Sequence, residues 1–299
     1  MSSRAIVRRQ AVLEQIGDYI ALTKPRVMSL LLYTALGGMV LAARGMPDIL
    51  VLVSVLVGGA LASGGASSIN HALEGDLDVA MRRTRSRPVA SGRISARYAL
   101  AYGVVLNAAA FALILLGANL LAADLAMTGT AIYVFVYTLW LKRSTSQNIV
   151  IGGAAGAIPP LVGWAAVTGS VALPSWYLFS IIFFWTPPHF WALAIMIKDD
   201  YKAAGVPMLP VVVGFRETRR AMLLYTLILT ALTALLYVTT DQLSLFYLIG
   251  ALTLGAAYIY FSARLWWKKG RGPVVTLYKF SLLYLGLLFT LIMVDASLS

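Results

Sequence analysis

Long apolar runs separated by short polar segments set the pattern of this chain. A helix needs about 20 predominantly apolar residues to cross a bilayer. Nine windows reach that length, and they predict membrane-spanning helices over residues 20–43, 49–73, 98–118, 120–141, 149–169, 173–197, 219–239, 243–266 and 274–295. The expected fold class is therefore all-α, with about nine transmembrane helices in one membrane-embedded domain that covers residues 1–299.

Composition narrows the chemistry that such a helical bundle can carry. Of the 299 residues, 60% are hydrophobic and 12% are charged, whereas soluble domains carry roughly 25% charged residues. The sequence contains no cysteine and two histidines. This excludes disulfides, cysteine nucleophiles, thiolate metal sites and zinc sites built from several imidazoles. Any bound metal is then a hard cation held by carboxylates, such as Mg²⁺.

Basic residues fall almost entirely on one side of the predicted membrane. The net charge is +12, and with a cytoplasmic N-terminus Arg44 alone among the 24 Lys and Arg residues lies on the opposite side. The positive-inside rule explains this distribution for an odd number of spans. We therefore expect a cytoplasmic N-terminus, with a short basic segment over residues 1–19, and a C-terminus on the opposite side. Nucleic acid is not an expected partner, and the N-terminal segment lacks the apolar core of a secretory signal.

A polar stretch, "NHALEGDLDVAMRRTRSRP" at residues 70–88, follows the second predicted span. Helical residues four apart differ by about 40° in direction, so Asn70, Glu74 and Asp78 share one face over roughly 12 Å. Asp76 points elsewhere. Three oxygen ligands on one face suit a hard divalent cation. A solvated helix end whose acids pair with the following arginines is the alternative. Against it, Asn70 and Glu74 lie at the edge of the hydrocarbon, where polar groups are costly.

Basic residues come directly after these acids. Membrane topology accounts for their positive charge, but it does not account for the acids beside them. Acids and bases together fit a metal-bridged diphosphate, in which Mg²⁺ neutralises one side of the anion and Lys or Arg the other. The candidate diphosphate ligands are Arg82, Arg83, Arg87, Lys142 and Arg143.

A second acidic segment, "IKDDYKAAGVPMLP", follows the sixth predicted span. Adjacent aspartates point in different directions on a helix, so only one of Asp199 and Asp200 can easily join a shared metal site. The two acidic segments are weakly similar to each other, since acids follow both the second and the sixth predicted span. This similarity suggests two halves of the molecule that face one central cavity.

The sixth span contains the sequence "FFWTPPHFW". Pro187 and Pro188 should kink or break this helix and free backbone carbonyls. His189 lies about 13 Å below the interface by helical rise. At that depth a functional role is favoured over a purely structural one. For the neighbouring aromatic residues, including Trp185, lining a cavity and ordinary packing are equally open.

Three segments of the chain resemble the heme O synthase (protoheme IX farnesyltransferase) branch of the UbiA superfamily of intramembrane prenyltransferases. They are "NHALEGDLDVAMRRTRSRPVASGRIS", "LKRSTSQNIVIGGAAGAIPPLVGW" and "FFWTPPHFWALAIMIKDDYKAAGVPMLP", and the likeness covers about residues 20–295. Asn70, Glu74 and Asp78 match the superfamily's first motif, an Asn followed by two acids at four-residue spacing. The second motif, two aspartates four apart, is not matched. The heme branch tends to show an acid–Asp–Tyr pattern there, which residues 199–201 follow.

The resemblance implies a bundle around a central cavity open to the cytoplasmic face and to lipid, in a prokaryotic plasma (inner) membrane. It implies transfer of the farnesyl group of farnesyl diphosphate to a vinyl group of heme b, giving heme O. Heme b is then a substrate, and a downstream heme A synthase is an expected partner. The implied cofactor is Mg²⁺, with the ligands Asn70, Glu74, Asp78, Asp199 and Asp200, of which all but Asp199 are assigned as catalytic. The implied heme-binding residues are His189, His71 and Trp185.

Other interpretations of the same residues stay open. A prenyltransferase of the same superfamily that acts on a quinone-ring precursor would have the same composition, and only the branch-specific motifs separate the two. A secondary transporter would carry acids near the bilayer midplane. Here all of the 12 acids except Asp124 and Asp295 lie at or beyond the predicted span ends. A passive scaffold protein leaves the acidic helix face unexplained.

Overall fold

Apolar helices form the framework of the computed structural model, which describes residues 3–268 and 270–298. Within these ranges there is no strand, and nine helices are long and apolar enough to cross a membrane. We number them span 1 to span 9: Pro25–Ala43, Ile49–Leu73, Ala96–Gly117, Leu120–Ser144, Asn148–Thr168, Leu173–Met196, Gly214–Thr239, Leu245–Trp266 and Arg271–Leu298. Each overlaps one predicted window, so the all-α prediction is confirmed.

Short helices connect the spans at the end of the bundle that carries the basic residues. The predicted start of the first span at residue 20 is wrong, because Ser3–Thr23 forms a separate helix and span 1 begins at Pro25. The loop after span 2 contains a six-residue helix, and the loop after span 6 contains two short ones. Their bounds are Gly75–Ala80, Lys198–Ala203 and Leu209–Val212.

Several spans are not uniform α-helices. Span 4 consists of an α-helix (Leu120–Ala131), a π-helix (Ile132–Leu141) and a last turn, Lys142–Ser144. Span 5 is divided at Ile158 into Asn148–Ala157 and Pro159–Thr168. Spans 7 and 8 end in 3₁₀ turns, Tyr237–Thr239 and Arg264–Trp266.

Span 6 is continuous where the sequence suggested a kink or a break. A single helix runs from Leu173 to Met196 with Pro187 and Pro188 inside it. Both prolines are buried, and the carbonyls that they leave without amide donors belong to Phe183 and Phe184, one turn earlier. The expected break is therefore wrong for this helix.

Close helix packing holds the site-bearing span in place. Span 2 packs most extensively against span 3, where small residues let the two backbones approach. A Cβ on Gly65 would lie 2.7 Å from the Gly103 carbonyl oxygen, and a Cβ on Gly103 would lie 2.7 Å from the Gly65 oxygen. Contact at this range needs glycine on both helices. One apolar core lies mainly among spans 1 to 5, and a larger one lies mainly among spans 6 to 9.

The connections at the two ends of the bundle differ in charge. The loops after spans 1 and 7 meet at one end, where Arg44 bonds Asp241 at 3.0 Å. The acidic segments that follow spans 2 and 6 lie at the other end, because successive spans alternate in direction. This arrangement puts the predicted site residues and most of the basic residues together.

A buried acid–base cluster as the candidate active site

Span 2 ends inside the predicted acidic stripe. Its last helical residue is Leu73, and Glu74 has a non-helical backbone (φ −108°, ψ 18°) before the helix Gly75–Ala80 begins. Helical hydrogen bonding nevertheless continues across the junction, because the Glu74 amide donates to the Asn70 carbonyl and the Asp78 amide to the Glu74 carbonyl, both at 2.9 Å. The sequence predicted one unbroken helix here. The break keeps the four-residue spacing but ends the span at Glu74.

Burial divides the acids of this segment. Asn70, Glu74 and Asp78 are 2%, 1% and 3% exposed. The side chain of Asp76 is 62% exposed and forms a bidentate pair with Arg143 at 2.7 and 2.8 Å. Hydrogen bonding from that guanidinium lowers the pKa of the Asp76 carboxyl. The buried stripe and the exposed acid therefore have different surroundings.

Each polar group of the stripe bonds a cation from another part of the chain. Lys142 Nζ donates to Glu74 Oε2 at 2.5 Å, and Arg87 Nη1 donates to both carboxylate oxygens of Asp78 at 2.8 and 2.9 Å. Lys24 Nζ donates to Asn70 Oδ1 at 3.1 Å. We call these six residues the buried cluster. Three basic groups against two carboxylates suit an anionic ligand, whose negative charge would favour the protonated form of each basic group.

Lys24 is the member of the buried cluster that sequence reasoning missed. It joins the N-terminal helix to span 1 in a left-handed backbone conformation (φ 49°, ψ 59°), which is uncommon for a residue other than glycine. Burial lowers the pKa of its ammonium to about 7, and the charge of Arg87 contributes to the same shift. In the sequence, Lys24 is one of many basic residues on the predicted cytoplasmic side, and nothing there separates it from the others.

The π-helix of span 4 packs against the buried cluster beside Asn70. Asn70 Nδ2 donates to Thr138 Oγ1 at 3.1 Å. Tyr133 and Tyr137 stack with ring centroids 5.7 Å apart, and Lys142 Nζ lies 5.8 Å from the centroid of the Tyr137 ring. π-Helical segments are rare and occur often at functional sites. This one brings a hydroxyl, two phenol rings and a lysine to the buried cluster.

The second acidic segment repeats the local structure but not the burial. Span 6 ends at Met196, and Ile197 is non-helical (φ −122°, ψ 32°) before the helix Lys198–Ala203. Asp199 is exposed. The side chain of Asp200 is 14% exposed, and its Oδ1 lies 3.5 Å from Arg82 Nε.

An apolar cluster fills the space between the two acidic segments. Leu77 and Tyr201, one from each short helix, belong to it, and Tyr137 and Phe190 pack against it. Burial raises the pKa of the Tyr201 hydroxyl. The two halves of the predicted site therefore face each other across shared apolar packing.

The donor chemistry of the buried cluster fits Mg²⁺. Its oxygens come from an amide and two carboxylates, the ligands that hard divalent cations take. Glu74 Oε1 is buried and has no hydrogen-bond partner among the described residues, so it is a free oxygen ligand. No group of three acidic or histidine side chains within the described part of the chain is close enough to hold a metal. In this structure the acids bond lysine and arginine instead.

The structure separates the predicted diphosphate ligands into two sets. Arg87 and Lys142 belong to the buried cluster. Arg82 and Arg83 are exposed at its edge, and Arg143 is engaged by Asp76 outside it. Of the predicted cations, two therefore lie within the cluster.

The predicted heme-binding residues lie in two different environments. His71 is 1% exposed, next to Asn70, and neither of its ring nitrogens has a partner among the described residues. His189 lies in span 6, 7% exposed, with Nδ1 2.6 Å from Ser281 Oγ. The Trp185 ring stacks on His189 with centroids 4.4 Å apart. His71 thus lies beside the buried cluster, and His189 lies within an aromatic group.

Several sequence relatives carry the name protoheme IX farnesyltransferase. A protoheme IX farnesyltransferase of Thermus thermophilus is 54% identical over 278 residues, covering 93% of this chain and 46% of that protein. The chain thus spans about half the length of the first curated relatives that it matches. A protoheme IX farnesyltransferase of Gloeobacter violaceus is 48% identical over 296 residues, covering 99% of this chain and 96% of the relative.

Solved structures share the fold. A UbiA homolog from Archaeoglobus fulgidus bound to GPP and Mg²⁺ superposes with a TM-score of 0.71 at 17% identity, covering 92% of this chain and 99% of that one. A digeranylgeranylglyceryl phosphate synthase superposes with a TM-score of 0.79 at 20% identity, covering 96% and 100%. At such identities the likeness concerns the fold alone. The model of the UbiA prenyltransferase family matches residues 31–286, and the chain, a multi-pass membrane protein, belongs to that family.

Proposed function

We propose that this protein transfers the farnesyl group of farnesyl diphosphate to a vinyl group of heme b and so makes heme O. The observation that carries the proposal is the buried cluster, in which Asn70, Glu74 and Asp78 meet three cations at one end of the bundle. A site with three basic groups and a free carboxylate oxygen suits a diphosphate and its cation. The choice of farnesyl and heme rests on the names of the relatives.

Binding of the diphosphate is assigned to the cations of the buried cluster. Lys142 and Arg87 each bond a carboxylate of the stripe, and Lys24 bonds Asn70 beside them, so a bound diphosphate would have three basic partners. Arg87 matters most among them because its planar guanidinium binds phosphate oxygens in pairs. Arg82 and Arg83 would act at the edge of the site.

The metal site is assigned to Asn70, Glu74, Asp78 and Asp200. Asp199 is left out because it is exposed. Bound there, Mg²⁺ would supply Lewis-acid stabilisation of the negative charge on the diphosphate leaving group. In that arrangement the carboxylates would hold the metal in place of their lysine and arginine partners, and those basic side chains would face the phosphate oxygens.

The reaction begins when the bond between farnesyl C1 and the diphosphate oxygen breaks, with both electrons leaving on oxygen. Lys24, Arg87 and Lys142 stabilise the charge that grows on the diphosphate. The terminal vinyl carbon of heme attacks C1 and leaves a cation on the inner vinyl carbon. Water adds to that carbon and loses a proton, which gives the hydroxyl group of heme O. The stacked rings of Tyr133 and Tyr137 offer π faces to the allylic cation.

The setting of this reaction follows from the charge distribution. We infer a prokaryotic plasma membrane, with the buried cluster at its cytoplasmic face, where the charged diphosphate group of farnesyl diphosphate reaches the site from water. The product is a membrane-bound heme. A heme A synthase that consumes it is the expected downstream partner.

The test is a mass measurement on the product. Purified protein in detergent is incubated with heme b, farnesyl diphosphate and Mg²⁺, and the porphyrin mass is followed. A hydroxyethylfarnesyl heme is expected. If heme stays unchanged while an aromatic quinone precursor becomes prenylated, the heme assignment is wrong and the quinone alternative is correct.

A further inference from the structure

Iron in a porphyrin requires only one or two axial ligands from a protein. The sequence supplies two imidazoles and no thiolate for this purpose. His71 lies beside the cationic groups of the buried cluster. His189, in contrast, lies in apolar surroundings, and its ring is held on several sides. The two histidines are therefore not equivalent candidates.

Hydrogen bonding favours one tautomer of His189. Ser281 Oγ is placed to donate its proton to the Tyr278 carbonyl oxygen at 2.7 Å. With that donation, the imidazole Nδ1–H supplies the proton in the 2.6 Å bond between Ser281 Oγ and His189 Nδ1. Nε2 then carries the lone pair, and no hydrogen bond to the described residues engages it. Metal-binding histidines characteristically donate their second ring N–H in this way.

Aromatic contacts fix the plane of the same ring. Trp185 stacks on one side of His189 (4.4 Å, 16°), and Tyr278 also stacks on the imidazole (4.8 Å, 24°). Trp185 Nε1 donates to the Ser281 carbonyl oxygen at 2.8 Å. Ser281 therefore holds both the imidazole and the indole. Because Trp185 and Tyr278 stack on the imidazole and Ser281 bonds its Nδ1, the ring has only its Nε2 edge left for binding a ligand.

His189 is also connected to the apolar cluster between the two acidic segments. Phe190 contacts the His189 ring edge-to-face at 5.3 Å. The same Phe190 packs against that apolar cluster. One aromatic ring thus links His189 to the packing beside the site assigned to the diphosphate, and apolar surroundings of this kind suit a flat apolar macrocycle.

We propose that His189 binds the iron of the heme substrate through Nε2 and that Ser281 is the positioning residue for this ligand. The proposal rests on the proposed function and specifies how its acceptor substrate is held. His71 is not the iron ligand in this arrangement.

The experiment uses the full-length protein in detergent, loaded with heme b and reduced to the ferrous state. Resonance Raman spectroscopy is expected to show an iron–histidine stretching band in the wild type and in His71→Gln. The band is expected to be lost in His189→Gly and restored by added imidazole. Ser281→Ala should keep the band, shift its frequency and weaken heme binding roughly 10-fold, the size of effect typical of a lost partner behind a metal-bound histidine.

Retained binding of farnesyl diphosphate in His189→Gly shows that the variant is folded. A band that persists in His189→Gly without imidazole, or that disappears in His71→Gln instead, overturns the proposal. So does a wild type that farnesylates heme without any iron–histidine band, and in that case the proposed function stands. If heme neither binds nor reacts, both the iron-ligand proposal and the proposed function are wrong.

Discussion

The two acidic segments of the bundle have the same local structure and opposite surroundings. Span 2 and span 6 each end in a non-helical residue followed by a six-residue helix with two aspartates in its first turn. After span 2 the acids at positions 74 and 78 are buried among three cations. After span 6, Asp199 is exposed and Asp200 meets one arginine at 3.5 Å. Local sequence thus sets the shape of each segment, and the neighbouring elements set its electrostatics.

The neighbours of the first segment explain the difference. The N-terminal helix leads to Lys24, the π-helix leads to Lys142, and the loop after the short helix returns Arg87 to Asp78. No comparable set of elements covers the second segment among the described residues. We therefore expect the first segment to bind the diphosphate and to provide most of the ligands of the metal cation. The second segment would supply the remaining ligand. The variants that follow separate these two contributions.

The largest effect is expected from Glu74→Gln. The change removes the charge of a carboxylate that is 1% exposed and replaces one of its two oxygens by an amide NH2 group, and it leaves Lys142 without an anionic partner. Loss of a group that stabilises charge in the transition state typically lowers kcat on the order of 10² to 10³-fold. Steady-state kinetics with heme b and farnesyl diphosphate measure the loss. Asp76→Asn, two positions further along the chain and exposed, is the matched control and should retain activity; equal losses in both variants would contradict the distinction.

The next largest effect is expected on the KM for farnesyl diphosphate. It should distinguish Arg87 from Arg82, although the sequence alone predicted the same role for both. Arg87→Gln should raise the KM for farnesyl diphosphate by about 10-fold or more, since hydrogen bonds to charged groups contribute about 1.5–3 kcal/mol. Arg82→Gln should change it much less, because its side chain is 83% exposed and exposed ion pairs contribute about 0–1 kcal/mol. KM measurements on both variants check the order. A larger effect of Arg82→Gln would place the diphosphate at the edge of the site.

The second acidic segment offers its own matched pair of variants. Asp200→Asn should raise the Mg²⁺ concentration needed for half-maximal activity by roughly 10-fold, as loss of one charged ligand weakens a hard-cation site. Asp199→Asn should leave the Mg²⁺ dependence within about twofold, because the exposed carboxylate remains hydrated. Titration of activity with Mg²⁺ distinguishes the two. If Asp199→Asn has the larger effect, the segment must rotate when the cation binds.

The sequence pattern was sufficient for the spans and for the acidic stripe, because both depend on short-range periodicity. Apolar windows of helical length mark the nine spans, and four-residue spacing puts Asn70, Glu74 and Asp78 on one face. Lys24 was not predictable, since its contact with Asn70 depends on a left-handed junction and on packing 46 positions away. The π-helix was missed for a related reason. It packs against spans 2 and 5, and its ten residues, nine of them apolar or aromatic, leave no periodic signal.

The smallest expected effect concerns the exposed pair that lies outside the buried cluster. Asp76→Asn should lower the free energy of unfolding by about 0.2–1 kcal/mol, the usual range for exposed ion pairs. Because Arg143 lowers the pKa of the Asp76 carboxyl, the contribution is present at pH values above the unfolded-state pKa and is lost as the pH falls through the lower folded value. At pH 7, thermal unfolding in detergent should therefore distinguish the variant from wild type at low salt, and the difference should shrink in 1 M salt through screening. A loss that salt leaves unchanged would mean that Asp76 stabilises the short helix through its backbone, and the contrast between exposed and buried acids would then need another cause.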